Sequence, residues 1–157
     1  MNAEADRSEY DPPHRVTQLP SWLAGQLAAT AAGLVAEALA AAGLRRQHFL
    51  VLNALAERGA ASQAALGRRL RIDRKDMHSV LLDLERDDLV ERVRDEHDHR
   101  RNLIALAPTG ARALKRLDKR IEAAQEALVA PLSAADRREL HHLLTQLVRH
   151  HSRQRSR

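Results

Sequence analysis

The sequence predicts a mainly α-helical protein with one small β-hairpin, and three observations carry that prediction. Of 157 residues 44% are hydrophobic, yet only Trp22, Tyr10 and Phe49 are aromatic. The core must therefore be built from Leu, Ala, Val and Ile, which suits packed helices better than a sandwich. Apolar residues also recur at helical spacing along most of the chain. Residues 73–102 then depart from that pattern: a short helix over 73–86, a hydrophobic step at Leu89-Val90, and a charged tip from Arg92 to Arg101. A second apolar, strand-like run, Leu103-Ile104-Ala105-Leu106, closes it. The length fits one domain with a real core.

Taken in order, residues 1–18 are polar, contain Asp11-Pro12-Pro13 and show no periodicity, which predicts a flexible arm. Pro20-Ser21 starts the first helix, with Ser21 as its cap and Leu23, Leu27, Leu34 and Ala38 on one face. Gly43 stops it. The second helix spans about 45–58, turns Phe49, Leu52 and Leu55 inward and ends at Gly59. Ser62 caps a short helix, 63–70, that buries Leu66 and Leu70. After the turn Arg71-Ile72, Asp73 caps the next helix, with Asp76 at the third position, where an acid can return a bond to the cap. Met77, Val80, Leu81 and Leu84 form one apolar stripe there, leaving Arg74, Lys75, His78 and Ser79 outside. Pro108 opens a long helix over about 109–129, in which Leu114, Leu117, Ile121 and Leu128 have a heptad-like spacing. Pro131 breaks it. Ser133 and Asp136 cap the last helix, lined by Leu140, Leu143, Leu144 and Leu147.

Two short helices joined by a tight turn, then strand, charged tip and strand, outline a winged helix-turn-helix. In that arrangement the second helix enters a DNA major groove, about 12 Å wide, with its N-terminal residues at base edges. Arg74, Lys75, His78 and Ser79 are the residues to meet bases or phosphates, joined by Ser62 and Gln63 at the start of the preceding helix. The tip Asp98-His99-Arg100-Arg101, with Arg94, can place an arginine in the strongly negative minor groove. Asp98 then serves as wing support, holding an arginine by a paired hydrogen bond. Double-stranded DNA is the partner this pattern selects.

Charge refines that reading. The net charge is +5, but lysine occurs only at 75, 115 and 119, so the excess is arginine. Arginine with abundant alanine resembles the codon habit of a GC-rich genome. Residues 62–101 hold ten Lys/Arg and ten Asp/Glu, a local total of zero. The signs are segregated, however: +3 from Arg68 to Asp76, −4 from Asp83 to Glu91, and +1 from Arg92 to Arg101. A basic reading end and an acidic far end favour DNA by distribution, not by total. Residues 152–157 read as a basic disordered tail.

Several functions are disfavoured. Without cysteine, disulfides, thiolate zinc sites and thiol redox sensing are excluded. No run reaches the roughly 20 apolar residues of a membrane span, so no membrane partner is expected. Residues 1–11 are acidic where a signal peptide would be basic and then apolar, and a cytoplasmic protein is expected. No nucleophile elbow, Gly-rich phosphate loop or pocketed carboxylate pair marks an enzyme, and no cofactor is expected. The central stretch has no aromatic residue on which RNA bases could stack.

Dispersed motifs make a family resemblance specific. Residues 59–74 (GAASQAALGRRLRIDR) and 84–92 (LERDDLVER), the wing pattern of Asp95, Asp98 and Arg100, Pro108-Thr109-Gly110, and residues 132–136 (LSAAD) occur in one order. Together they resemble the MarR family of bacterial transcription regulators over about residues 19–148. The resemblance implies a homodimer with one MarR-like domain at 19–151. Within it, 19–43 and 108–151 would be dimerisation helices and 45–106 the winged helix-turn-helix. It further implies a repressor of a near-palindromic operator, released by a small-molecule effector bound between the helical base and the winged unit. Trp22, Gln47 and His48 are the residues expected near that crevice.

Three positions depart from the family pattern. Lys75-Asp76 stands where small hydroxyl residues are common, and Asp76 can cap the helix or accept from a cytosine amino group. Asp88 occupies a helix end that favours glycine; aspartate tolerates the left-handed conformation better than most residues. His99 replaces a common wing arginine, so wing charge would rise below about pH 6.5.

Two other readings stay open at this point. A metal-responsive regulator could use His141-His142, His150-His151 and the His97-x-His99 pair, although adjacent helical histidines point about 100° apart and zinc wants three or four converging ligands. A winged-helix interaction module without DNA binding is compatible with the neutral local charge.

Overall fold

Asp73 decides where the second helix of the helix-turn-helix begins. In the computed structural model, which describes residues 10–95 and 102–154, Asp73 has extended backbone and precedes helix α5, Arg74–Arg86. Its Oδ1 accepts from the backbone N–H groups of Lys75 at 2.8 Å and Asp76 at 2.9 Å. These amides lie in the first helical turn, where no preceding carbonyl can reach them. The Asp76 bond, followed by that from Lys75, holds the Asp73 carboxyl below its ordinary range despite some opposing desolvation. Asp73→Ala is expected to lower the thermal midpoint by about 3 °C and Asp73→Ser to restore most of it. A thermal melt monitored by circular dichroism checks this; equal midpoints for all three proteins would refute the cap.

The elements before α5 are α1, His14–Thr17; α2, Pro20–Ala40; α3, Arg46–Arg58; and α4, Gln63–Leu70. After it come β1, Val90–Arg94; β2, Asn102–Leu106; α6, Pro108–Val129; and α7, Ala134–Gln154. Fold class is as the sequence predicted: mainly helical, with a two-stranded antiparallel hairpin. Several local expectations change. Ser21 is not the cap of α2; Leu19 is, without a side-chain bond, and Pro20 takes the first position, where a missing N–H costs nothing. A helical turn, α1, lies inside the stretch read as a flexible arm, and α7 runs to Gln154, beyond the expected start of the tail. Arg92 and Arg94 belong to β1 rather than the tip, because pairing continues from Val90↔Leu106 to Arg94↔Asn102.

The core forms where α3, α4, α5 and the hairpin meet. Met77, Val80, Leu81 and Leu84 are all buried, together with Leu52, Leu55, Leu66 and Ile104; Leu70 is only half-buried, where the sequence predicted full burial. Ala61 adds a one-residue third strand, donating to the Ile104 carbonyl at 3.0 Å and accepting from its N–H at 2.8 Å. That bridge ties the start of α4 to the wing. Asp88 does adopt a positive φ, +54°, and Arg71 does so as well at +53° in the turn between α4 and α5.

α6 packs along α2 and buries Leu114 and Leu117. Its start is stitched to the end of α5: the Ala107 N–H donates to Leu89 O at 3.1 Å, and the Thr109 hydroxyl donates to Asp88 O. The Ser133–Asp136 cap of α7 forms as read, with the Asp136 N–H donating to Ser133 Oγ at 3.2 Å and the hydroxyl to Asp136 Oδ2 at 2.6 Å. No residue of α7 is buried within the single chain. One expectation is overturned: α2, 21 residues with a stretch of mean hydropathy 1.4, is long and apolar enough by length and composition to cross a membrane.

Candidate nucleic-acid interface

The first turns of α4 and α5 come together at one exposed end of the molecule. Gln63, Arg74, Lys75 and His78 line a common shallow depression there, and Gln63 Nε2 donates to the Arg74 carbonyl at 3.4 Å. Ser79 is exposed beside them. Ser62 Oγ accepts from the Ala65 N–H at 3.2 Å, so this hydroxyl caps α4 while standing at the same end. The structure thus brings six of the residues singled out by sequence to one region. Arg94 stands at the end of β1, opposite Asn102. Asp98, His99, Arg100 and Arg101 lie outside the described residues.

The acidic far end of α5 is compensated, which the sequence total could not reveal. Asp83 Oδ2 lies 2.5 Å from Arg45 Nη2, and Asp83 Oδ1 lies 3.3 Å from Arg86 Nη1. Glu85 pairs with Arg92 at 2.8 Å, and Arg86 with Asp87 at 3.3 Å. Partial burial pushes the Asp83 carboxyl up, but Arg86, Arg45 and His48 together outweigh it and hold the group below the usual carboxylate range. Cations are thus consumed at the far end, while among the described residues Arg74 and Lys75 take part in no ion pair. That asymmetry strengthens the positive field at the reading end.

His48 sits in this network rather than in a ligand crevice. It is 5% exposed, its Nδ1 accepts from the Arg45 backbone N–H at 3.2 Å, and its Nε2 lies 3.4 Å from Asp83 Oδ2. An Nδ1 that accepts leaves the proton on Nε2, facing the carboxylate. Burial, reinforced by the charge of Arg45, lowers the His48 pKa, with Asp83 opposing. The crevice itself lies between α2 and the start of α3, about 640 Å³, lined by Ala31, Val35, Leu39, Leu44, Arg45, Arg46 and neighbouring alanines. Trp22, Gln47 and His48 are not among its lining residues; α3 turns His48 toward Asp83. Among the described residues no group of three or more His, Asp or Glu side chains is placed to hold a metal ion; His97 and His99 fall outside them.

Helix, tight turn, capped helix and paired wing strands define a winged helix-turn-helix protein. A MarR family profile matches residues 42–101 of the chain. The chain is similar to a protein of Thauera aromatica named as a transcriptional regulatory protein for the hcr operon, 31% identical over 102 residues. That match covers 65% of this chain and spans 61% of the relative's length. Among solved structures it resembles PcaV of Streptomyces coelicolor in complex with its natural ligand, with 28% identity and a TM-score of 0.67 over 88% of this chain and 97% of the other. A MarR family protein of Mycobacterium tuberculosis in complex with salicylic acid gives 27% identity and a TM-score of 0.67 over 88% and 98%.

Proposed function

We propose that this protein is a cytoplasmic, sequence-specific double-stranded DNA-binding transcription regulator, a homodimer that represses from a near-palindromic operator and answers to a small-molecule effector. The observation that carries the reading is the convergence of Gln63, Arg74, Lys75 and His78 at the capped N-terminal end of α5. A helix N-terminus also favours nearby phosphate, through its free amides and its dipole. Ser62, Ser79 and Arg94 extend that surface; His99, Arg100 and Arg101, with Asp98 as support, are the further DNA contacts read from the sequence. The family profile match and the named regulatory role of the Thauera relative support the same function.

The homodimer is supported by the uncovered apolar stripe of α7. Leu143, Leu144, Leu147 and Val148 are 42–65% exposed in the single chain, at the spacing of one helix face. Leu19, Leu23 and Leu27 at the start of α2 are likewise exposed. A shared helical base removes both from water and accounts for the apolar length of α2 without a membrane. The effector reading draws on the crevice between α2 and α3 and on relatives solved with small acids or natural ligands.

Titration against the DNA upstream of the protein's own coding sequence, at two salt concentrations, tests this. Specific binding that weakens with salt is expected, because phosphate contacts release counterions. Arg74→Ala should weaken it by about 1–3 kcal/mol without changing the thermal midpoint. Absent or salt-independent binding would instead favour a protein-interaction module.

A further inference from the structure

Among the described residues, His48 is the ionisable side chain that is buried, and it holds the start of α3. Arg45 occupies the cap position but its side chain makes no cap, since a guanidinium has no acceptor. The tie runs the other way: His48, the third residue of α3, accepts the Arg45 backbone N–H at Nδ1, 3.2 Å away. A glutamate or glutamine usually fills that role. A carboxylate there would go on accepting down to about pH 4, whereas an imidazole stops accepting once both its nitrogens carry protons. On the other side of the ring, Nε2 lies 3.4 Å from Asp83 Oδ2 and 3.4 Å from Arg45 Nη2. One imidazole thus joins the start of α3 to the helix that carries Arg74 and Lys75.

We propose that His48 is a proton-operated latch: a proton added at Nδ1 breaks the cap of α3 and loosens its joint with α5, so that operator binding weakens as the pH falls below neutrality. The operator part rests on the regulator reading above; the latch itself does not.

A protonated Nδ1 faces the Arg45 N–H as donor against donor. Turning the ring away from that clash gives up the Asp83 contact as well. The added charge also arrives beside the Arg45 guanidinium. Asp83 attracts it, yet that carboxylate is already shared between Arg45 at 2.5 Å and Arg86 at 3.3 Å. Asp87 on α5 adds a smaller attraction. The charges around the ring are therefore Arg45 before α3 and Asp83, Arg86 and Asp87 on α5. Burial and Arg45 prevail over the acids and lower the His48 pKa. The unfolded chain therefore takes this proton first. Stability is complete above the ordinary histidine value of about 6.5 and falls as the pH drops below it. Asp83 stays ionised meanwhile, because its carboxyl is held below the usual range.

Thermal midpoints and operator affinities of the full-length protein at about pH 7.5 and about pH 5.5 test this, set beside His48→Asn and His48→Gln, whose amides accept at either pH. Between those values the wild type should lose about 3 °C more than the variants, and about fivefold more in operator affinity. His99 and the other histidines titrate in all three proteins, so the difference isolates His48. An NMR titration of the wild-type ring nitrogens needs no variant: near neutrality the His48 proton should sit on Nε2, and the ring should titrate below about pH 6.5. A proton on Nδ1 near neutrality, or midpoints that fall equally in the wild type and both variants, would overturn the latch. Operator affinity that falls no further in the wild type than in the variants, with the midpoint difference present, would overturn its control of DNA binding and leave the regulator reading intact. The midpoint difference and the Nε2 proton in a protein that binds no DNA at either pH would keep the latch and overturn the regulator reading instead.

Discussion

For the proposed homodimer, Leu144→Asp together with Leu147→Asp is expected to give a monomer and to abolish the proposed operator binding. Both leucines lie on an exposed face of α7, 42% and 57% accessible. In a two-fold assembly each substitution occurs twice, so four leucines leave the interface. Each leucine is already about half covered, so burying the rest is worth about 0.7–1.5 kcal/mol; four together lose at least about 3 kcal/mol, raising the dimer dissociation constant more than about 10²-fold. Stranded carboxylates add to that. The monomer should keep its helical content, because these side chains are not part of the core built on Leu52, Leu66, Met77 and Leu81. Light scattering at micromolar concentration measures the mass. A variant with twice the mass of one chain would remove α7 from the interface.

Gly110→Ala is the second large effect, and it acts on the fold rather than on assembly. A Cβ at this position would collide with the carbonyl oxygen of Leu89 and come within 2.9 Å of Leu106 Cδ1 and 3.0 Å of the Leu89 carbonyl carbon. The obstacle is mainly backbone, held by the Ala107 N–H bond to the same carbonyl, so it cannot move aside as a flexible side chain would. Overpacking of this kind costs about 3 kcal/mol, and the start of α6 must shift away from the hairpin. Urea unfolding should show the midpoint falling at an unchanged slope. An unaltered midpoint would mean that α6 is not seated against Leu89.

That contact also explains a motif the sequence showed only as a resemblance. In Pro108-Thr109-Gly110 the proline starts α6 without a lost donor, the threonine hydroxyl bonds the Asp88 carbonyl, and glycine permits the close approach. The same physics lies behind what was readable elsewhere. Asp73 and Ser133 are recognisable as caps because a cap acts on amides two or three residues away. Met77, Val80, Leu81 and Leu84 are recognisable as core because helical period alone puts them on one side. Asp88 was legible as a left-handed position from its residue type and its place at a helix end.

Other features depend on angles between elements, and no local pattern contains them. Arg45 and Asp83 are 38 positions apart in sequence, so the network at the far end of α5 exists only once α3 and α5 have packed. His48 was expected near a crevice; α3 places its Nε2 3.4 Å from Asp83, and the pocket between α2 and α3 is lined by its neighbours Arg45 and Arg46. The Ala61–Ile104 bridge is similarly nonlocal. The sequence by itself determined the fold class, the capped starts of α4, α5 and α7 and which side chains of α5 face outward, since these follow from interactions within about four residues. Only the tertiary structure decided which charges are already paired and which apolar faces lack a cover, because both depend on the angles at which helices meet.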